Sequence, residues 1–281
     1  MSTVTAGDGR PPANGCDSHC HVLGPAARFP YAATRRYEPA DSPLETLRAL
    51  HDRLGLSRAV IVQATAHGIV NDAMLAALRT APDRYRGVAM IDDTTTDREL
   101  EEMARAGVRG VRFNFVQSLG GHPDPAVFRR CVERAKGLGW HVVLHVRGAD
   151  LLELADTLRD LPVPFVIDHM GRVEAAAGVG QPAFQLLLRL LERHDAWVKI
   201  SGPERMASYP YDDALPFARA LAETRLDRIL WGTDFPHPNL DVAVREEDLL
   251  AFLQRAVPDA DDRRRVLVDN PAALYGFSAE C

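Results

Sequence analysis

The 281-residue chain lacks several features that define large classes of protein. No apolar run approaches the ~20 residues that cross a bilayer, and the polar N-terminus has no apolar segment of the kind found in secretory signals. The four cysteines form neither a CxxC pair nor a disulfide-framework spacing, which indicates free thiols in a reducing compartment. We therefore expect a cytoplasmic protein that has no membrane partner.

Positive charge is not in excess either. The chain has 33 Lys and Arg against 39 Asp and Glu, a formal net charge of −6. Proteins that bind nucleic acid usually carry a basic surplus or a basic stripe, so nucleic acid is not expected as a partner. With 20 Gly and 19 Pro, both ordinary counts, collagen-like and low-complexity classes are excluded. The 46% of hydrophobic residues is enough for a large core.

Short apolar runs alternate with amphipathic segments along the chain. Runs such as Ala59–Val62 and Val163–Ile167 are rich in β-branched residues, as is typical of parallel strands covered on both faces. The predicted strands are Cys16–Val22, Arg58–Gln63, Tyr85–Ile91, Val108–Phe113, Trp140–Val146, Pro164–Asp168, Trp197–Ser201 and Arg228–Trp231. The predicted helices are Leu44–Leu54, Asn71–Arg79, Asp97–Ala106, Ala126–Leu138, Leu151–Arg159, Phe184–Arg193, Ala214–Thr224 and Glu246–Arg265.

Eight strand–helix alternations with short connections predict a single α/β domain, a (β/α)8 TIM barrel, over residues 16–281. A flexible lead-in over residues 1–15 precedes it. A doubly wound open sheet is the alternative, but it predicts a glycine-rich phosphate turn after the first strand, and the sequence has none there. In a (β/α)8 barrel the active site is built at the carboxyl ends of the strands, so polar residues at those ends are the candidates.

The first strand ends in a His-x-His motif. His19 and His21 are two residues apart and therefore point to the same face of the strand, where they could share a metal ion or a substrate oxygen. A His-x-His pair alone is weak evidence, but most other strands also end in ionisable or polar side chains. These are Gln63, His67, Arg112, His145, Asp168, His169, Arg172, Lys199, Arg205, Asp234 and His237.

Each candidate has a structural alternative. Asp234 could cap the following segment, His169 and His145 could be packed core histidines, and the arginines could be solvated loop charges. Several other residues are expected to have no role at the site. His141 lies towards the other end of its strand, Cys20 is expected to pack only, and three histidines are expected at the surface: His51, His122 and His194.

Six segments, in this order, carry a resemblance to a known family: HCHVLGP, FPYA…RRY, AVIVQATAHG, GVRGVRFNF, VPFVIDHMGR and ILWGTDFPHPN. From Cys16 to Tyr275 the chain resembles the amidohydrolase superfamily, and within it the branch of pyrone dicarboxylate lactonases and related lactone hydrolases. The resemblance implies a distorted barrel of the amidohydrolase type. It also implies hydrolysis of the ring ester of a carboxylate-bearing lactone, in the breakdown of aromatic or sugar acids.

The resemblance also implies roles for individual residues. His19, His21, His169 and Asp234 would form the catalytic centre, in which Asp234 is the general base for water. Carboxylates of the substrate would be bound by four residues: Tyr37, Arg112, Arg172 and Arg205. We group His67 and His237 with these substrate-binding residues, and His237 could also orient Asp234.

Two positions depart from the pyrone lactonase pattern. Ser118 stands where that enzyme has a further arginine, which puts the pyrone dicarboxylate in doubt as the substrate. His145 stands where that enzyme, which works without a metal, has a tyrosine. Together with His19, His21 and Asp234, His145 restores the metal-ligand set of metal-dependent members, and such a set suits Zn²⁺ or Mn²⁺. The sequence thus predicts either one divalent transition metal or a metal-independent site.

Two other functions remain open at this point. Related barrels with this set of residues carry out metal-dependent, non-oxidative decarboxylation of an unsaturated or aromatic acid. A catalytically silent ligand-binding barrel is the non-enzymatic alternative. The expected partner is a small anionic lactone, whose identity the sequence does not specify, and the oligomeric state is left open.

Overall fold

A computed structural model, which describes residues 10–193 and 195–278, contains one sheet of eight parallel strands in sequential order. The strands are β1 (Cys16–Cys20), β2 (Arg58–Val62), β3 (Tyr85–Ala89), β4 (Val108–Asn114), β5 (His141–His145), β6 (Phe165–Ile167), β7 (Ala196–Ile200) and β8 (Ile229–Trp231). Each strand pairs with the next one along the chain, as the alternating pattern predicts. The fold is therefore a (β/α)8 barrel.

Helices connect the strands and surround them. They are α1 (Leu44–Leu54), α2 (Asp72–Thr80), α3 (Asp97–Ala106), α4 (Pro125–Gly137), α5 (Gly148–Glu153), α6 (Ala155–Arg159), α7 (Pro182–Arg193), α8 (Leu215–Arg225), α9 (Glu246–Ala256), α10 (Ala260–Arg264) and α11 (Asn270–Tyr275). Their ends follow local chemistry. Thr96 and Glu99 form a reciprocal capping box at the start of α3, and Gly107 ends that helix in the left-handed conformation.

The segment after β8 closes the barrel against β1. Asp234 N donates to His19 O at 2.7 Å and His21 N donates to Phe235 O at 2.8 Å. Glycine is required at position 232 because a Cβ atom there would lie 2.4 Å from the backbone nitrogen of His19. This close approach brings the carboxyl ends of β1 and β8 side by side.

The core has two parts. Valines from β2, β3, β5 and β6 fill the interior of the barrel below the strand ends, with Leu230 and Tyr275. A larger cluster fills the layer between strands and helices, and Cys20 belongs to it, as expected of a packing residue. His141 lies low in the barrel, where its ring is 5.1 Å from that of Tyr275. The upper end of the barrel is thus left for polar side chains.

The predicted elements differ from the structure mainly at their ends. Strand ends shift by one or two residues. The prediction of one continuous helix over Glu246–Arg265 is wrong. Helix α9 ends at Ala256, and α10 begins after Asp259, whose side chain accepts hydrogen bonds from two backbone amides. Pro258 disfavours a helical conformation in the residue before it, and this explains the break. The predicted helix Leu151–Arg159 is likewise two short helices, α5 and α6.

The prediction of a surface position for His51 is also wrong. His51 is fully buried, with its Nε2 3.1 Å from Oδ2 of Asp17. The partner lies on β1 rather than on α1, so helical periodicity gave no sign of the contact. His122 is exposed, as expected, and His194 lies outside the described residues, as do residues 1–9 of the predicted lead-in.

Two further observations concern the cysteines and the length of the helices. Cys16, Cys20 and Cys131 are buried free thiols. None of the helices within residues 10–193 and 195–278 is long and apolar enough to cross a membrane.

Candidate active site

Three histidines surround one carboxylate oxygen at the carboxyl ends of the strands. His19 and His21 come from β1, and His169 follows β6. Oδ1 of Asp234 lies 3.3 Å from Nε2 of His21, 3.6 Å from Nε2 of His19 and 3.7 Å from Nε2 of His169. All four residues are buried. The structure therefore brings together the four residues predicted as the catalytic centre.

Asp234 reaches this position through an uncommon backbone conformation. Its φ is 62°, and that of His169 is 53°, both in the left-handed region that non-glycine residues rarely adopt. Such conformations are retained where the surrounding structure enforces them, and they concentrate at functional sites. Here they turn two polar side chains from the ends of β8 and β6 towards the barrel axis.

A single arginine neutralises the other oxygen of this carboxylate. Arg205 Nε donates to Asp234 Oδ2 at 2.6 Å, and its Nη2 donates to the backbone oxygen of Pro238 at 3.0 Å. Burial opposes ionisation of Asp234, but Arg205 and His169 outweigh burial and hold the pKa of this carboxyl well below its usual range. Asp234 is thus a carboxylate that can accept a proton.

The Nδ1 atoms of His21 and His169 each contact a polar group on the side of the ring away from Asp234. His21 Nδ1 donates to the backbone oxygen of Val62 at 2.7 Å, which leaves the lone pair on its Nε2. His169 Nδ1 lies 2.9 Å from Oγ of Ser201. Burial lowers the pKa of His19 to about 4, and burial also lowers the pKa of His169 well below its ordinary value. Both rings are therefore neutral near pH 7.

A buried charged cluster lies beneath His19. Asp168 Oδ1 lies 3.1 Å from both His19 Nδ1 and Lys199 Nζ, and its Oδ2 accepts from Arg112 Nε at 3.1 Å. Burial opposes ionisation of Asp168, but the cations Lys199 and Arg112 hold its pKa well below the usual range. Asp168 thus lies between two cations beneath His19.

A small cavity opens above this centre, and His21, His169 and Asp234 form part of its lining, whereas His19 does not. The other lining residues are Tyr37, Arg112, His145 and Arg205, with Ala64, Thr65, Leu119, Pro238 and Asn239. Burial raises the pKa of Tyr37, so its hydroxyl stays protonated and can donate a hydrogen bond. Three of the residues predicted to bind substrate carboxylates therefore face the cavity.

The fourth, Arg172, lies beside His145. Its Nη1 is 3.2 Å from His145 Nε2. Burial and the nearby cations Arg205 and Arg147 lower the pKa of Arg172 to about 10. Arg147 Nη2 donates to Ser118 Oγ at 3.3 Å, so an arginine from another loop reaches the position at which the sequence lacks one. Such a concentration of guanidinium groups favours an anionic ligand.

The structure does not bring His67 or His237 into the lining of the cavity. His67 Nε2 accepts from Gly24 N at 3.2 Å and its Nδ1 lies 3.2 Å from the backbone oxygen of Pro30, so both ring nitrogens contact the loop after β1. His237 lies between two carboxylates, with Nδ1 3.4 Å from Glu204 and Nε2 3.6 Å from Glu246.

The residues fit a metal ion in part. Ligand atoms of His19, His169 and Asp234 all lie within 4.8 Å of one another, and His19 Nε2 is a buried nitrogen that has no hydrogen-bond partner. Imidazole and carboxylate ligands suit Zn²⁺ or Mn²⁺. His145, predicted as a further ligand, is outside this group because its Nε2 faces Arg172.

Several contributors to the site had no assigned role in the sequence. Asp168 and Lys199 stood at strand ends, and Glu204 stands next to Arg205, but only the fold shows what these residues contact. One signal was available for Lys199. It is two residues before Ser201 on the predicted strand Trp197–Ser201, and a spacing of two indicates the same face of a strand.

Comparisons with known proteins agree with this geometry. The amidohydrolase family model matches residues 16–277. The chain is 42% identical over 276 residues to a 2-pyrone-4,6-dicarboxylate hydrolase of Comamonas testosteroni, covering 94% of this chain and 90% of that protein. It is 41% identical over 271 residues to a 4-sulfomuconolactone hydrolase of Rhizobium radiobacter, covering 94% of this chain and 91% of that protein.

A solved structure extends the comparison to the fold. It is from Pseudomonas putida and was described as a 2-pyrone-4,6-dicarboxylic acid hydrolase. It superposes with a TM-score of 0.85 at 36% identity, covering 96% of this chain and 100% of that one. The similarity thus extends over almost the whole chain, including every strand that supplies a residue to the site. The chain belongs to the amidohydrolase family.

Proposed function

We propose that the protein is a hydrolase that opens the ring ester of a lactone bearing at least one carboxylate or similar anionic group. The observation that carries this proposal is the position of Asp234. One of its oxygens faces three histidine nitrogens at 3.3–3.7 Å, and the other is neutralised by Arg205 in an arginine-lined cavity. Relatives with 42% and 41% identity hydrolyse a pyrone dicarboxylate and a sulfomuconolactone, which supports the same chemistry here.

Asp234 and His21 would hold and activate the attacking water. The Nε2 lone pair of His21 and the ionised Oδ1 of Asp234 are both acceptors, 3.3 Å apart, so a water could donate one hydrogen to each. Asp234 would take the proton as the water attacks the lactone carbonyl. The same proton would then pass to the leaving ring oxygen, which returns Asp234 to its ionised state.

His19 and His169 would polarise the carbonyl oxygen. Both are neutral and their rings lie 4.5 Å apart, with His169 in the lining of the cavity and His19 next to it. A neutral imidazole can donate a hydrogen bond to a developing oxyanion, and a donor of this kind is worth about 10²–10³ in rate. The Lys199 ammonium, 3.1 Å from Nδ1 of His19, would strengthen such a donor.

The arginines would position the anionic groups of the substrate. Arg112 and Arg205 face the cavity, and Arg172, with Arg147 near it, adds positive charge beside the lining residue His145. A substrate with two anionic groups would use both regions. His145 would contact substrate here, since its Nε2 is directed to Arg172 rather than to Asp234.

Zinc or manganese, if bound, would be held by His19 and Asp234 together with His169 or His21. It would supply a Lewis acid for the carbonyl and would lower the pKa of a coordinated water. Elemental analysis of protein purified without added metal or chelator would measure its content. About one ion per chain would support a metal-assisted site, and activity that survives chelation in metal-free protein would support the metal-independent alternative.

The test is a steady-state assay of purified protein with 2-pyrone-4,6-dicarboxylate and 4-sulfomuconolactone, the substrates of the two relatives. Ring opening is followed by ultraviolet absorbance and by proton release. We expect turnover of at least one lactone by the wild type, and a loss of about 10³-fold or more in kcat for Asp234→Asn, which keeps the shape of the side chain but cannot accept the proton.

Two outcomes would contradict the proposal. Wild-type activity that Asp234→Asn retains would remove Asp234 as the base. Release of carbon dioxide from unsaturated or aromatic acids, without turnover of any lactone, would favour the decarboxylase instead. The folded state of the variant is checked by circular dichroism and thermal denaturation, so that a loss of activity is not a loss of fold.

A further inference from the structure

Lys199 is one of two lysines in the chain, and it is fully buried inside the barrel. The other, Lys136, lies on the outer face of α4 with half of its side chain exposed. Among the described residues, the Lys199 ammonium contacts two acceptors: Oδ1 of Asp168 and Nδ1 of His19, each at 3.1 Å. Because His19 Nδ1 is also 3.1 Å from Asp168 Oδ1, the three atoms form an equilateral triangle.

In each tautomer of His19 one of the three contacts in this triangle is unfavourable. The position of the His19 proton decides which contact that is. An ammonium only donates, a carboxylate only accepts, and a neutral imidazole nitrogen does one or the other. If Nδ1 carries the proton, it donates to Asp168, and two N–H groups of His19 and Lys199 face each other. If Nε2 carries the proton, Nδ1 accepts from Lys199, and its lone pair faces Asp168.

Three contacts favour the proton on Nε2. Asp168 is already satisfied by Lys199 and by Arg112, whose Nε donates to Oδ2. The buried ammonium gains a second acceptor, which matters because an unsatisfied buried donor costs roughly 1–3 kcal/mol. On the other side of the ring, Nε2–H then points at Oδ1 of Asp234, 3.6 Å away, whereas a bare Nε2 would set its lone pair against that carboxylate.

We propose that Lys199 is a positioning residue that donates to His19 Nδ1 and thereby keeps the His19 proton on Nε2. The Nε2–H of His19 then points towards Oδ1 of Asp234, beside the cavity, where it could donate to the lactone carbonyl oxygen once substrate is bound. This consequence for catalysis rests on the proposed function, whereas the tautomer itself does not.

The same arrangement disfavours a metal at His19. A metal ion needs the Nε2 lone pair, so binding would require the proton to move to Nδ1, where it would face the Lys199 ammonium. Removing the ammonium should release this constraint: Nδ1 would donate to Asp168, and Nε2 would become a free ligand. Loss of the Lys199 ammonium should thus weaken hydrogen-bond donation by His19 Nε2 and strengthen metal binding there. Loss of a side chain that only filled space would not have these two opposite effects.

The first experiment measures the wild-type protein and uses one variant only to assign signals. Long-range ¹H–¹⁵N correlation spectra of metal-free protein labelled with ¹⁵N-histidine distinguish the two tautomers, and the His19 signals are assigned by their absence in His19→Asn. We expect the Nε2–H form for His19 and the Nδ1–H form for His21, whose Nδ1 donates to a carbonyl oxygen. An Nδ1–H form of His19 would overturn the proposal.

The second experiment is a zinc titration of metal-free Lys199→Met by calorimetry, beside the wild type and Lys136→Met. Methionine keeps the length of the side chain without its charge. We expect Lys199→Met to show the Nδ1–H form of His19 and to bind zinc more tightly by tenfold or more, since partners behind ligating histidines change affinity about 10–100-fold. Lys136→Met should match the wild type in both respects.

Hydrolysis of the lactone is measured on the same proteins. For metal-free Lys199→Met we expect kcat to fall by about 10²-fold with KM within a few-fold of the wild type, because the lost donor acts on the transition state. An unchanged tautomer and unchanged zinc affinity in a folded Lys199→Met protein would refute the role of Lys199. Absence of lactone turnover in the wild type, with the expected tautomers, would instead refute only the proposed function.

Discussion

Asp234 and Arg205 share a short contact that links substrate binding to the strength of the base. As long as Arg205 donates to Oδ2, the pKa of Asp234 stays well below its usual range, and a carboxylate of such low basicity is a weak general base. A substrate carboxylate that draws part of the Arg205 guanidinium to itself would loosen this hold and raise the basicity of Asp234. The arginine would then strengthen the base only once an anionic substrate is bound.

The pH dependence of Arg205→Met tests this relation. Activity requires ionised Asp234, so it is lost as the pH falls through the pKa of that carboxyl. Without Arg205 the pKa rises, and we expect the acid limb of the kcat/KM profile to move to higher pH, together with a drop of about 10²-fold at pH 7. Arg205→Lys, which keeps the charge but not the two-pronged geometry, should retain more of the low-pH activity.

Profiles are measured with the same lactone from pH 4 to 9, and circular dichroism at each pH shows that the variants stay folded. An acid limb that does not move in Arg205→Met would mean that Arg205 does not set the ionisation of Asp234.

At the scale of single residues, the sequence predicted the centre better than its surroundings. His19, His21, His169 and Asp234 follow strands, where the topology of a barrel makes their neighbours predictable. His51 and Lys199 were different, because each is buried against a charged partner more than 30 positions away in the chain. Such a pairing leaves no trace in local periodicity. The same limit applies to the two ring nitrogens of His67, which bind the loop after β1.

Among the elements, the loop after β8 has the most unusual anchorage. His237 lies between Glu204, which follows β7, and Glu246, the first residue of α9. Burial disfavours its charged form, but the two carboxylates outweigh burial and raise the pKa of His237 to about 9. An imidazolium thus ties together three segments that frame Asp234.

The contacts of His237 with Glu204 and Glu246 predict a stability that depends on pH. The pKa of His237 is raised on folding from about 6.5, so its contribution is fully present below about pH 6.5 and is lost as the pH rises through about 9. We expect the free energy of unfolding of the wild type to exceed that of His237→Gln by on the order of 1–3 kcal/mol at pH 6, with the difference shrinking towards zero above pH 9.

Urea denaturation of both proteins at pH 6, 7.5 and 9.5 measures the difference, and the common titrations of other groups cancel in the comparison. A constant difference across this range would show that His237 stabilises the loop by packing rather than by charge.

Closure of the barrel depends on a glycine. A Cβ atom at position 232 would lie 2.4 Å from a backbone nitrogen of β1, so Gly232→Ala must push β1 and the end of β8 apart. We expect a loss of several kcal/mol of stability, as for other overpacked buried sites, and loss of activity, since His19 and Asp234 lie on either side of this contact.

Gly137→Ala is the matched control. Gly137 ends α4, and a Cβ atom there would meet nothing within 4 Å. We expect unchanged activity and a stability equal to the wild type or higher by about 0.4–1 kcal/mol. Thermal and urea denaturation of the two variants give the comparison. A Gly232→Ala protein as stable and active as Gly137→Ala would show that the β1–β8 contact does not determine the geometry of the site.

The order and type of the elements were predictable, but their breaks were not. Runs of β-branched residues and helical spacing predicted all eight strands and the main helices between them, because parallel strands buried on both faces must be apolar. The segment after α9 shows the limit. Its apolar residues keep helical spacing through Pro258, yet the backbone ends one helix there and begins another at Ala260. Spacing reports which residues are buried, not whether the helix between them is continuous.

For the whole molecule, the barrel places an arginine-rich cavity above a buried carboxylate in a protein whose net charge is −6. The arginines of this cavity would attract a small anion. Three reaction classes are to be distinguished: the proposed hydrolysis, the decarboxylation that the sequence leaves open, and isomerisation, the activity named for a D-galactarolactone isomerase of Agrobacterium fabrum that is 32% identical. The three classes differ in which atoms enter and leave the substrate.

Incubation with an anionic lactone in water enriched in oxygen-18, followed by mass spectrometry of the product, separates these classes in one measurement. Attack by water activated at Asp234 should give a ring-opened acid that contains one heavy oxygen from the solvent and every carbon of the lactone. A product of unchanged mass would indicate isomerisation, and loss of carbon dioxide would indicate decarboxylation. Either result would contradict lactone hydrolysis by Asp234-activated water.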